Sequence, residues 1–336
     1  MKTSIVYSLI CDYSDYYLEQ LMMSLYSLRK TNPTAKVTLI TDKSTNNLLS
    51  KNQYNLNKYV NTILTVETPD SFSKSQRSRY IKTNIRNYIK GDYLFIDTDT
   101  IICSSLEEID NFNHEICAVL DNHGDAYNDF TKNWITNKAK IMDWIDVLAY
   151  PHFNSGVFFV KDTPLTHRFY QRWFELWSLC NNKQIYIDQL SLRKVNSEFN
   201  QIIHEIEGIW NCQVRYPKGE LFKDRAKIIH YQASDPRIYY SICAESVFLK
   251  IKIGGILQND ILSLLNNPQE SFSKKQMIIS GEQIKFIQSH LYDVFLNHYS
   301  FYNILVHISL LYSKLFTSVY CIKQKIYFSF FNKSSK

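Results

Sequence analysis

Apolar and polar positions along the first half of the chain alternate between two periods. Ser4 to Ile10 is a short apolar run rich in strand-forming residues. Tyr16 to Lys30 follows with Leu18, Leu21, Met22, Leu25 and Leu28 near one face of a helix, and Thr31-Asn32-Pro33 stops it. Lys36 to Thr41 predicts a second strand, a polar helical stretch comes next, and Val60 to Val66 predicts a third strand. Ser75 to Ile89 has the pattern of a helix, closed by Lys90-Gly91-Asp92. Tyr93 to Ile96 is wholly apolar, the kind of strand buried on both faces of a parallel sheet. Beyond it, Ile116 to Leu120, Gly156 to Val160 and Lys227 to His230 are strand candidates, and Leu165 to Leu179 and Ile187 to Val195 are helix candidates.

Alternation of this type argues for an α/β fold with a mostly parallel sheet. In such sheets ligands bind beyond the carboxyl ends of the strands, and Asp97 to Asp99 sit at one of those ends. From about Pro236 the texture changes to helices with long apolar faces. The expected organisation is therefore an α/β domain over residues 1–235 and a helical C-terminal region over 236–336.

Composition adds three constraints. The seven cysteines are scattered, with no CxxC pair and no histidine at zinc spacing. Their odd number, and an N-terminus that runs straight into a strand, point to a reducing compartment: the cytoplasm, or the cytoplasmic face of a membrane. The net charge of +6 is unevenly spread, because no acidic residue follows Asp293 while Lys314, Lys323, Lys325, Lys333 and Lys336 do. A basic, aromatic tail suits a lipid surface as a peripheral partner. Nucleic acid is not expected, since the tail has no Arg and no nucleic-acid-binding motif occurs. Phe295 to Ser313 has no charged residue, yet its Asn, His and Ser content is too polar for a membrane span.

The candidate chemistry begins with Asp97-Thr98-Asp99. In extended backbone, positions i and i+2 project to one side, so the two carboxylates repel unless a cation lies between them. Hard oxygen ligands suit Mn²⁺ or Mg²⁺, which can grip a diphosphate. A bare DxD pair is equally the mark of a solvated turn, but here apolar strands hem it in on both sides. Phe95 to Thr100 also resembles the first motif of haloacid-dehalogenase-type phosphatases, in which the first Asp is a nucleophile. Against that alternative, the motif does not lie near the N-terminus and no downstream acidic pair follows.

Further blocks in order resemble the GT-A-fold glycosyltransferases, particularly the retaining family 8 and its bacterial relatives. Ser4 to Leu9, with Asp12 and Tyr16, resembles the strand and loop that hold the nucleoside. Ser24 to Pro33 resembles the SL-x-x-TNP helix end, and Ser78 to Thr83 the helix carrying a basic phosphate contact. Phe153-Asn154-Ser155-Gly156-Val157, Ile187-Asp188-Gln189-Leu190 and Ile228-Ile229-His230-Tyr231 resemble the family's FNSGV, DQ and IHF segments. The likeness spans roughly residues 4 to 231.

This resemblance implies a GT-A, Rossmann-like fold: a mixed, mostly parallel sheet with helices on both faces. It implies a retaining, metal-dependent transferase that moves a hexose from a nucleotide sugar, of uridine type, to a glycan or lipid-linked acceptor in cell-surface polysaccharide synthesis. Asp97, Asp99 and His230 become the metal ligands, for Mn²⁺ or Mg²⁺. Ser8, Asp12, Arg79, Lys82, Thr98, Asp121, Asn154, Ser155 and Gly156 become donor contacts, and Asp188 and Gln189 catalytic positions. Each has a plainer alternative: a core histidine for His230, a solvated charge for Lys82, helix caps for Asp121 and Asp188, a strand-opening turn for Ser155-Gly156. Arg77, Arg79 and Lys82 cannot all face one ligand. The chain departs from the family after His230, where Gln232 to Arg237 replaces a GxxKPW-like segment and Arg237 is the candidate substitute cation. A non-catalytic, glycan-binding GT-A protein is the remaining alternative.

Overall fold

Tyr93 to Ile96 is buried along its whole length, and the sheet is built outward from it. The computed structural model describes residues 1–50, 54–124, 131–232 and 241–272, together with positions 304, 307, 308, 311, 312 and 315. In chain order the first elements are β1 (Ser4–Leu9), α1 (Tyr17–Thr31), β2 (Val37–Asp42), α2 (Lys43–Ser50), β3 (Thr62–Val66), α3 (Lys74–Lys82), α4 (Ile85–Tyr88) and β4 (Tyr93–Ile96). Next come β5 (Thr100–Ile102), β6 (Ile116–Leu120), α5 (Thr131–Ile141), β7 (Phe153–Val160), α6 (Pro164–Asn182), α7 (Gln189–Glu198) and β8 (Ile203–Glu205). The last are β9 (Cys212–Gln213), α8 (Glu220–Lys223), β10 (Ile228–His230), α9 (Glu245–Gly254), α10 (Asn259–Asn266) and α11 (Pro268–Ser271).

Seven strands form one sheet in the order β3-β2-β1-β4-β7-β6-β8. Strand β7 runs antiparallel to both β4 and β6, and the other pairings are parallel. The sheet is mixed and mostly parallel, as expected. Its period of two sorts side chains onto two cores. Ile5, Tyr7, Leu39, Leu94 and Ile96 pack on the α1 face with Leu21, Leu25 and Leu28. Val6, Ile40, Tyr93 and Phe95 pack on the opposite face with Ile81, Ile85, Phe169, Tyr170 and Trp173. Helices therefore cover both faces. A second sheet, β5-β10-β9, pairs β5 antiparallel with β10.

The helix expected over Ser75 to Ile89 is broken into α3 and α4. The hydroxyl of Thr83 bonds the Arg79 carbonyl, and the amide of Asn84 bonds the Tyr80 carbonyl, at 2.8 and 2.9 Å. Such side chains compete with the backbone ladder and end a turn that apolar spacing alone would continue. The next turn starts at Ile85, with Asn84 as its N-cap.

The chain divides into two compact units, Met1–Ser273 and Lys274–Lys336. Helices α9 to α11 belong to the first: Phe248, Ile251, Ile261, Leu265 and Phe272 join the core that contains β1 and α1. The first unit thus continues past Pro236, and its described elements beyond that point are helical. In the second unit the six described positions, Ile304, His307, Ile308, Leu311, Tyr312 and Leu315, are helical and exposed. Among the described residues no helix is long and apolar enough to cross a membrane.

Candidate active site

Strand β4 ends at Ile96, and Asp97 to Asp99 bridge from it to β5 in the second sheet. Three anchors fix this bridge. The Asp97 amide donates to the Gly156 carbonyl at 2.7 Å, the Thr100 hydroxyl donates to the Asp97 carbonyl at 2.9 Å, and the Tyr231 amide donates to the Asp99 carbonyl at 3.1 Å. Strand β10 pairs with β5 so that His230 stands opposite Thr100. Asp97, Asp99 and His230 consequently each offer a ligand atom within 4.8 Å of the others.

The surroundings test whether this triad suits a divalent cation. The side-chain amide oxygen of Asn211 stands 3.0 Å from Nδ1 of His230 and accepts a hydrogen bond from it, which leaves Nε2 turned to Asp99 at 3.3 Å. This outer partner fixes the tautomer that a metal needs. Gly156 lies under the same point: a Cβ there would fall 2.4 Å from His230 Cε1 and 2.9 Å from Asp97 Oδ2. Only a residue without Cβ leaves the donor atoms their room. The donor set, two carboxylate oxygens and one imidazole nitrogen, matches Mn²⁺ or Mg²⁺ in hardness. The residues fit the group.

Charge around the triad is tightly coupled. Burial pushes Asp97 up, only partly offset by Lys82, whose Nζ lies 3.0 Å from both oxygens. Burial is also the largest influence on Asp99, but the His230 charge and hydrogen bond, with Lys82, together outweigh it and hold Asp99 below its usual value. Burial pulls His230 down, but the Asp99 charge and hydrogen bond together with the Asp97 charge lift it above its usual value. Lys82 also lies over the Phe95 ring at 4.9 Å, so its ammonium is steered between β4 and the carboxylates.

Arg77, Arg79 and Lys82 divide as their helical spacing requires. Arg77 pairs with Asp42, away from the site, while Arg79 and Lys82 both reach it. Arg79 Nε lies 3.0 Å from Asp188, and Lys82 Nζ lies 3.9 Å from it. Ser155 donates to the other Asp188 oxygen at 2.6 Å. Asp188 is the N-cap residue of α7, yet its carboxylate makes no cap hydrogen bond. It is turned into the site instead, and the Lys82 and Arg79 charges hold it below the usual carboxylate value despite burial. Gln189 lines the same cavity, and its side chain makes no hydrogen bond among the described residues.

Two cavities meet at this point. The larger, about 370 Å³, is lined by Asp121, His152, Asn154, Asp188, Gln189 and Arg215 among others. The smaller, about 260 Å³, is lined by Ser8, Tyr17, Gln20, Lys74, Ser78 and Thr98 among others. Asp97, Asp99 and Arg79 line both. Of the residues read from the sequence, Ser155, Gly156, Lys82 and His230 line the larger cavity, and Ser8 and Thr98 the smaller. Asp12 lines neither of these two; it is half-exposed and paired with Lys74 at 2.8 Å, which draws its carboxylate well below the usual range. Asn154 lines the larger cavity with its amide already engaged, donating to Asp121 at 2.7 Å and accepting from Gly156 and Asn211 at 2.9 Å. Arg237 lies outside the described residues.

Sequence reading missed His152, which lines the larger cavity, and two residues behind the site, Asn211 and Gln213. His152 approaches Asp121 at 3.6 Å, Asn211 orients His230, and Gln213 receives the Asn122 amide at 2.9 Å. None carries a motif of its own. Asn211 and Gln213 stand at β9, next to His230, so a polar pair flanking a short strand was the available signal.

A mostly parallel sheet whose central strand delivers a DxD pair to a histidine, beside two cavities, is the arrangement expected of a GT-A-type glycosyltransferase. The sequence matches the description Glycosyl transferase family 8 over residues 8–235, and the chain belongs to that family. Among curated proteins no sequence matches. Three solved structures are similar in fold. The glycosyltransferase GlyE of Streptococcus pneumoniae TIGR4 is 19% identical, covering 82% of this chain and 67% of its own, with a TM-score of 0.49. The galactosyltransferase LgtC, in complex with donor and acceptor sugar analogs, is 14% identical, covering 82% and 99%, with a TM-score of 0.47. Mouse xyloside xylosyltransferase 1 is 12% identical, covering 71% and 100%, with a TM-score of 0.46. Family membership removes the phosphatase reading of Asp97 and Asp99.

Two outcomes are expected. Gly156→Ala will weaken Mn²⁺ binding, measured by titration calorimetry, by about ten- to a hundredfold, the range for a disturbed outer contact. Asp188→Asn will lower stability at pH 7 by about 3 kcal/mol, as breaking a buried ion pair does. A carboxylate held low in the folded state stabilises above its unfolded value of about 3.9 and loses that contribution as pH falls through the folded value. Urea unfolding should therefore show the gap between wild type and Asp188→Asn closing below about pH 4.

Proposed function

We propose that this chain is a retaining, metal-dependent hexosyltransferase that uses a uridine-type nucleotide sugar and a glycan or lipid-linked acceptor in cell-surface polysaccharide synthesis. The observation that carries the reading is the meeting of two cavities at one triad of metal ligands. A nucleotide sugar has that form: a nucleoside on one side, a sugar on the other, and a diphosphate between. When bound, the divalent cation neutralises charge on the departing diphosphate. Asp97, Asp99 and His230 would hold it, and Lys82, beside Asp97, and Arg79, beside Asp188, add two further positive charges to the site. Ser8 and Thr98 line the nucleoside side; Asp121, Asn154, Ser155, Asp188 and Gln189 line the sugar side. A triad of this kind, with counter-charges already in position, favours catalysis over the non-catalytic reading.

Retention by double displacement needs a carboxylate nucleophile at the anomeric carbon. Gln189 has a neutral amide, and Asp188 is buried and held by Arg79 and Ser155. Front-face transfer through an ion pair, with Asp188 orienting the sugar, accords better with these side chains. The decisive measurement is nucleoside diphosphate release from a donor panel with and without Mn²⁺. Asp97→Asn should lower metal-dependent transfer by about a hundredfold or more. Full turnover in that variant would overturn the metal assignment, and an inverted anomer in the product by NMR would overturn retention.

The reading extends to the cytoplasmic face of a membrane, where lipid-linked acceptors reside. Ile304, Ile308, Leu311, Tyr312 and Leu315 repeat at helical spacing and are all exposed, and the lysines after Asp293 have no acidic residue among them. Vesicles containing anionic lipid should retain the chain at low salt and release it at high salt. Equal retention on neutral vesicles would remove the charge component.

A further inference from the structure

Helix α1 is buried on nearly all sides, and its polar residues show what each is for. Glu19 accepts from Tyr54 at 3.0 Å. The Ser24 hydroxyl bonds Tyr7 at 2.9 Å and Thr100 at 2.8 Å. The Ser27 hydroxyl donates to the Ser24 carbonyl and accepts from the Ile102 amide. Gln20 differs. It is 5% exposed, yet its carboxamide makes no hydrogen bond among the described residues. Neither amide atom is sealed off from solvent, and the residue lines the 260 Å³ cavity beside Ser8, Tyr17 and Thr98. Buried polar groups are normally paired, so an amide open onto a cavity is placed to pair with whatever fills that cavity.

The helix sets how deep that amide stands. Ser24 touches Thr100, at the start of β5, directly after the metal-binding carboxylates. Gln20 is four residues, or just over one turn, before Ser24, about 6 Å along the axis. Tyr17 lies nearly a turn further out, with Lys74 5.8 Å over its ring. In the 260 Å³ cavity, then, the amide stands near the diphosphate end and the aromatic ring near the outer end. In a nucleoside diphosphate the ribose adjoins the diphosphate and the base lies beyond it. A ribose presents two neighbouring hydroxyls, each donor and acceptor, and a carboxamide offers one donor group and one acceptor to meet them.

We propose that Gln20 is a specificity-determining residue that reads the ribose hydroxyls of the donor nucleotide. The inference rests on the nucleotide-sugar reading above and adds to it a chosen sugar: ribonucleotide over deoxyribonucleotide. Gln20→Met keeps the volume of the side chain and removes only the amide.

The test is calorimetric titration of the full chain, with Mn²⁺ present, by UDP and by 2′-deoxy-UDP. Wild type should bind UDP about tenfold more tightly than 2′-deoxy-UDP, the effect of roughly one buried hydrogen bond. Gln20→Met should bind UDP about tenfold more weakly and bind the two nucleotides alike. Gln20→Ala should do the same, and melting temperatures should report that both variants are folded. An unchanged preference for UDP in the variants would overturn the proposal, as would an equal loss for both nucleotides, which would mean that Gln20 reads the base. A wild-type chain that binds both nucleotides alike would overturn it too. If wild type bound neither nucleotide, the nucleotide-sugar reading would fall and this inference with it, an outcome distinct from binding that ignores Gln20.

Discussion

The pairing of Thr100 with His230 across β5 and β10 makes one site out of residues that are far apart in the chain. Because side chains alternate along a strand, a slip of one residue would turn His230 away from Asp99 and remove the third donor. The register is held from several directions. All three residues of β5 and of β10 are buried, so a slip would force both faces of each strand to repack. Ser27 receives the Ile102 amide, and Ser24 bridges Tyr7 of β1 to Thr100. The large sheet, α1 and the small sheet are thus joined by hydroxyls directly beneath the carboxylate pair.

On that frame sits a cluster of charges that would not assemble on its own. Asp97, Asp99 and Asp188 are partly or wholly withdrawn from water, which raises the energy of each ionised form. Lys82, Arg79 and His230 supply the opposing charge. The opposite shifts of Asp97 and Asp99 show how local the balance is: the carboxylate facing the imidazole is held low, and its neighbour is driven up by burial. Apolar packing on both faces of β4 keeps these groups together in spite of their mutual repulsion. Gly156 belongs to the same account, since it lets β7 approach until its carbonyl accepts from the Asp97 amide.

Much of this was legible in the sequence because two periodicities write it plainly. Six of the seven strands of the large sheet, all but β8, and the face of α1 follow from spacing, and the DxD pair was conspicuous because apolar strands enclosed it. What escaped was decided by side chains bonding to backbone or by tertiary neighbours. The break between α3 and α4 depends on Thr83 and Asn84 capturing carbonyls, in a stretch whose apolar spacing is unbroken. Asp12 follows β1 closely, but Lys74 takes its carboxylate. Asn211 and Gln213 acquire their roles only when β9 pairs beside β10. Gln20 reads as one more residue of a helix face until its neighbours prove to be partnered and it does not.

Asp188 and Gln189 show how the fold bears on the proposed chemistry. They open α7, where the partial positive charge of a helix N-terminus favours an anion. Asp188 does not use that position for capping; it accepts from Ser155 and faces Arg79, and so stays ionised in a buried setting. A fixed, ionised carboxylate beside a cavity stabilises positive charge that develops there, and does so without reorganisation when the charge appears. A glycosyl group that separates from a diphosphate develops positive charge of that kind. Gln189, neutral and adjacent, adds no second negative charge to collapse onto the anomeric carbon. Between them the two side chains offer stabilisation without an unencumbered nucleophile, the combination that an ion-pair route requires and a covalent route does not.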